Sequence, residues 1–166
     1  MQIPINTDIA RTIDLFALAF ALGTTLWFFF IQSPVLIKRM GRDKFVPLQM
    51  RLTRVLFKCL YISLLVMFAA ALAANAGAPS LPVVTAAIAL LGAVVNNFLI
   101  IPRALRAGAR SIRDELKPDQ QSSVERFVSE GGGASARFWH RAVVLFVIVM
   151  LAGLLPHAVS LSAIQS

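Results

Sequence analysis

The stretch CLYISLLVMFAAALAANAGAPSLPVVTAAIALLGAVVNNFLIIP, from Cys59 to Pro102, runs for 44 residues without a charged side chain. A helix needs about 20 apolar residues to cross a hydrocarbon core, so this stretch holds two crossings and a tight connection. The segment Asn75-Ala76-Gly77-Ala78-Pro79-Ser80-Leu81-Pro82 supplies the connection, because a glycine and two prolines interrupt helix and favour a turn. The reading predicts one span over residues 56–74 and another over 83–101. Lys58, near the start of the first, is able to extend to the membrane surface.

Two further uncharged runs lie outside this core. Residues 15–37 form a run of 23 that begins just after Asp14 and ends at Lys38 and Arg39. Basic residues after an apolar run are the wrong flank for a cleaved secretory signal, so we expect the segment to be retained. Residues 142–162 form the last span, with Pro156 near its far end. With 58% hydrophobic and 14% charged residues, the chain departs from the balance of soluble domains. The fold class expected is all-α: an integral membrane four-helix bundle in a single domain, residues 1–166.

Charge placement predicts the orientation. Seven Lys or Arg lie between Lys38 and Lys58 and eight between Arg103 and Arg141, leaving only Arg11 elsewhere. Apart from Lys58, at the start of the second span, both groups fall in loops, 38–55 and 102–141, on one side of a four-span chain. The positive-inside rule places those loops in the cytoplasm, both termini outside it, and the protein in the inner membrane. The formal net charge of +8 thus points to anionic lipid headgroups rather than nucleic acid.

Within the longer loop, Arg103, Arg106, Arg110 and Arg113 recur at three- and four-residue steps. They share a face if the third helix continues past the membrane, and would dock lipid or an acidic partner there. Pro118 should stop that extension. Ser122 with Glu125 resembles a capping box for a short helix, and Gly131-Gly132-Gly133 an end to it. Phe138 and Trp139 introduce the last span at the depth where aromatic side chains favour the interface.

The chemistry-bearing residues are few. The single Cys59 forms no internal disulfide, and no zinc or redox spacing is present. The five methionines are scattered and read as packing residues. Nucleotide-binding and hydrolytic motifs are missing, so no catalytic residue, metal site or cofactor is assigned and no enzyme activity is expected. On this reading no charge lies deep in any span, which argues against proton-coupled transport. Small-residue pairs Ala17 and Ala21, Ala70 and Ala74, and Ala89 and Ala93 mark candidate helix contacts.

Polar residues inside spans are the exceptions. Thr24, Thr25, Ser63 and Thr85 can bond to their own helix. Asn96 and Asn97 point about 100° apart, so at least one should face another helix, a neighbouring subunit or water. With Gln49 and His140 they form a candidate polar cluster at the cytoplasmic ends of the helices. His140 and His157, 17 residues apart on one helix, are too distant to ligate one haem together. His140 is the candidate for a single pigment or haem ligand.

The run Gly23-Thr24-Thr25-Leu26-Trp27-Phe28-Phe29 through Ser33-Pro34-Val35-Leu36, then Phe45-Val46-Pro47-Leu48-Gln49, is the basis of a family resemblance. Asn97 with Pro102, and Phe138-Trp139-His140, extend it. In these motifs the chain resembles the small four-span membrane proteins typified by eukaryotic transmembrane protein 205, a family whose bacterial members carry a domain of unknown function. The resemblance implies the same four-helix architecture and no activity. The leading functional expectation is a non-enzymatic accessory or scaffold subunit of a membrane complex, or a homo-oligomer. The alternative is a small-molecule or metal-handling protein, or a haem- or pigment-binding subunit using His140.

Overall fold

Helix begins at Thr7, well before the uncharged run, and Asp8 in the first turn favours the positive end of the helix dipole. The computed structural model describes residues 7–112 and 136–164. Arg113, Pro118, the pair Ser122 and Glu125, and the three glycines 131–133 lie outside the described residues.

The first rod is α1 (Thr7–Leu26), a π-helical turn (Trp27–Gln32) and α2 (Ser33–Met40). Gly41 then reverses the chain at φ 77°, ψ 163°, a backbone conformation that side chains disfavour. The second rod is α3 (Arg42–Ala74), which carries Pro47 within its opening turns. The third is α4 (Leu81–Val94), a second π turn (Val95–Ile100) and α5 (Ile101–Ile112). The fourth is α6 (Ala136–Ile164). Four of these rods are long and apolar enough to cross a membrane.

The expected connection after α3 takes a specific form. Gly77 N–H donates to Leu72 O at 2.9 Å and Ala76 N–H to Ala73 O at 3.3 Å, the paired bonds of a Schellman cap. The left-handed position belongs to Ala76 (φ 51°), while Gly77 follows at φ 76°. Leu81 and Pro82 then open α4, where a missing N–H costs nothing.

The two π turns share a grammar. Each ends two residues before a proline, Gln32 ahead of Ser33-Pro34 and Ile100 ahead of Ile101-Pro102. Proline offers no N–H to the carbonyl four residues back, so the ladder slips by one. Ser33 N–H accordingly reaches Phe28 O, and Ile101 N–H reaches Asn96 O.

Packing centres on Leu60, Leu64, Met67, Ala89, Met150 and Leu154, all fully buried. The closest approach is between α4 and α6: a Cβ on Gly153 would lie 2.6 Å from Ala89 N and Thr85 O. Gly92 faces Met150 N in the same interface, with 3.1 Å for its missing Cβ. Of the alanine pairs, Ala17, Ala21, Ala70, Ala89 and Ala93 are buried and Ala74 is half-buried. Outward residues include Phe16, Phe30, Leu91 and Val159, the apolar surface that lipid covers.

Two readings of the span interiors change. The spans are not free of buried ionisable groups: Asp14, the residue before the uncharged run, lies inside α1 and is 1% exposed. His157 is buried as well, at 0% exposure. The misplacement arose because an uncharged run marks where charge stops, not where helix starts. Ser63 also bonds across helices, donating to Ala17 O at 3.0 Å, instead of back to its own turn.

Candidate functional site

Polar side chains gather at both ends of the bundle. At the end holding the start of α3, the close of α4 and α5, and the start of α6, the rods part around a pocket of about 360 Å³. This end carries the basic loops. The first π turn brings Phe28 and Phe29 to its wall, α3 brings Phe45, Gln49, Met50 and Phe57, and α5 brings Ile101, Leu105 and Gly108. His140 and Val143 of α6 complete it, with His140 exposed at the rim. Phe28 and Phe29 meet edge to face at 5.2 Å, and Phe29 and Phe57 at 6.3 Å, so much of the wall is an aromatic herringbone.

The orientation of the Gln49 amide follows from its neighbours. Ser33 Oγ donates its one proton to Phe28 O at 2.7 Å. It can then only accept from Gln49, so Nε2 faces Ser33, at 2.9 Å, and Oε1 is left over. Gln49 Oε1 is buried and has no hydrogen-bond partner. Such an acceptor costs about 1–3 kcal/mol until something donates to it. Asn96 repeats the pattern: Nδ2 reaches Val143 O at 3.4 Å, and Oδ1 is buried without a partner. Ser80 Oγ, at the opposite end, is the third such atom among the described residues.

The polar cluster inferred from sequence divides on this geometry. Gln49 and His140 line one pocket. Asn96 stands behind it, bonded to the backbone of the lining residue Val143, and half-buried Asn97 is not part of the wall. Arg103, Arg106 and Arg110 lie on α5 outside the lining. Arg103 donates to Leu99 O at 2.6 Å and places its guanidinium 5.8 Å from the Trp139 ring centre. It therefore ties the third rod to the fourth beside the pocket.

The second cluster was missed in the sequence. At the end that holds the described termini, His157 Nε2 lies 2.9 Å from Asp14 Oδ1, and its Nδ1 lies 3.0 Å from Pro82 O and 3.2 Å from Thr85 Oγ1. These bonds join the first, third and fourth rods. Both ring nitrogens are engaged, so His157 has no free lone pair for a metal or haem. The signal was present as one acid and one imidazole within otherwise apolar helical runs. Their distance in sequence concealed the pairing.

No group of three or more His, Cys, Asp or Glu able to hold a metal occurs among the described residues. The chemistry available at the pocket is therefore hydrogen bonding by the Gln49 amide, the Thr53 hydroxyl and the His140 imidazole within a largely aromatic cavity.

Comparison with known proteins gives no match among curated proteins or solved structures. A family model, the domain of unknown function DUF4149, matches residues 16–111. The matched region contains every lining residue of the pocket except His140 and Val143. It covers more than half of the chain, and the protein belongs to the DUF4149 family.

Proposed function

We propose that this is a non-enzymatic multi-pass membrane protein that binds a small, largely apolar molecule carrying a neutral hydrogen-bond donor. The observation that carries the reading is Gln49 Oε1, a buried acceptor without a donor in the wall of an apolar pocket. A pocket of about 360 Å³ falls within the range of small-molecule sites, and few well-placed polar groups in an apolar wall are their usual chemistry. The first π turn, which brings Phe28 and Phe29 to the wall, adds support, since such turns are frequent at functional sites.

In this proposal the basic loops face the cytoplasm, the termini face away from it, and the pocket opens near the inner leaflet, beside anionic headgroups drawn to Arg106 and its neighbours. The accessory-subunit or homo-oligomer reading rests on outward apolar faces, which lipid tails cover equally well. It therefore does not lead.

Photolabelling tests the pocket. A benzophenone amino acid replacing Phe45, in the pocket wall, should capture one discrete small molecule from native membranes. The same probe at outward Phe16 should capture a spread of bulk lipid. An identical spread of phospholipid adducts at both positions would count against the proposal.

A further inference from the structure

We infer that the pocket takes an aromatic ring bearing a hydroxyl, a phenol or the head of a reduced quinone, whose O–H donates to Gln49 Oε1. This rests on the proposed pocket and names the ligand class it would select.

Ser33 takes one hydrogen of the Gln49 amide and Oε1 is the atom left without a partner, so an acceptor-only ligand would leave that oxygen unsatisfied. Carboxylates, phosphates, ketones and oxidised quinones are disfavoured on that ground. Cationic donors such as amines would satisfy the oxygen, but this end of the bundle bears the loops that hold all but two of the chain's 16 Lys and Arg residues. A field of that sign repels them. A neutral O–H or N–H remains.

The wall then selects among neutral donors. Phe28, Phe29, Phe45 and Phe57 all contribute to it, and three of them already pack edge to face. A planar ring extends that herringbone with its own edge or face, which a saturated chain or fused alicyclic skeleton cannot do. His140 stands at the rim, where an imidazole can donate to or accept from a second ring oxygen. A para-disubstituted ring thus has a polar group for each end, Gln49 inside and His140 at the mouth.

The test is calorimetric titration of the full chain in lipid nanodiscs, with empty nanodiscs subtracted. The probes are trimethylhydroquinone, its prenylated form, the di-O-methyl ether and the oxidised quinone. The hydroquinone should bind at least tenfold more tightly than the ether or the quinone, the value of about one buried hydrogen bond. Gln49→Leu should erase that preference, leaving the three rings within about threefold of one another. Preference for the prenylated form would identify a membrane quinol as the source, and equal affinity a free phenol. Gly108→Leu should block every probe without relying on Gln49, since a Cβ there meets only the mobile Met50 methyl, at 3.0 Å.

Equal binding of hydroquinone and ether to the wild type would overturn the phenol inference and leave the pocket reading standing. Binding of none of the rings, with a non-aromatic molecule photolabelled at Phe45, would have the same effect. No ring bound and no discrete adduct at Phe45 would overturn both.

Discussion

Asp14 Oδ1 and His157 Nε2 lie 2.9 Å apart although 143 residues separate them, and both side chains are buried. The far nitrogen of the imidazole fixes what the pair can hold. Pro82 O only accepts, so Nδ1 carries a hydrogen, shared with Thr85 Oγ1, whose own proton goes to Leu81 O or Pro82 O. A single proton then lies between Nε2 and the carboxyl, written as a neutral pair or as an ion pair. Either form keeps the cluster at zero net charge. Three rods are latched at this end, while the pocket lies at the opposite end.

This arrangement predicts an asymmetric mutational response. His157→Leu leaves a buried carboxyl without its partner and should cost roughly 3–5 kcal/mol, measured by thermal unfolding in mild detergent. Asp14→Asn keeps a donor for Nε2 and should cost under about 1.5 kcal/mol. The double variant Asp14→Leu with His157→Leu should be more stable than His157→Leu alone. A double variant less stable than both single leucine variants would remove the latch.

Close packing of α4 on α6 predicts a contrast between glycines. Gly153→Ala forces a methyl within 2.6 Å of backbone atoms and should destabilise by about 1–3 kcal/mol. Gly23→Ala meets nothing within 4 Å and should be neutral or slightly stabilising. Equal effects of the two in the same unfolding assay would contradict the contact.

Ala76 occupies a left-handed position that glycine adopts without strain. Ala76→Gly should therefore raise stability by roughly 0.5–1 kcal/mol, a reversal of the usual glycine penalty. A loss of stability would show that the turn after α3 is not the Schellman cap described.

The proposed orientation predicts that a reporter active only after export, fused behind Ser166, is active, while one fused within residues 102–111 is not. The reverse pattern would invert the protein and place the pocket at the outer leaflet.

The architecture was legible because membrane spans announce themselves by length alone. The uncharged run from Cys59 to Pro102 contains one turn, and the structure has that turn at Asn75–Ser80, before α4 opens at Leu81. Tertiary chemistry was less legible. Asp14 looked like a boundary because it is charged, yet a partner on another helix lets it stand inside the bundle. Gly92 and Gly153 carried no signal of their own, since what makes them necessary is the backbone they face. Gln49 was selected as one polar residue at the basic end. That its oxygen is left without a donor depends on Ser33 and Phe28, and no spacing rule reveals that.

Native mass spectrometry of the protein purified from its own membranes in mild detergent tests most directly the proposal that a ligand donates to Gln49 Oε1. The account predicts one small molecule at near-equal stoichiometry on the wild type, depleted at least tenfold from Gln49→Leu, with both proteins equally folded. A wild-type protein that carries only exchangeable bulk lipid, indistinguishable from Gln49→Leu, would contradict it.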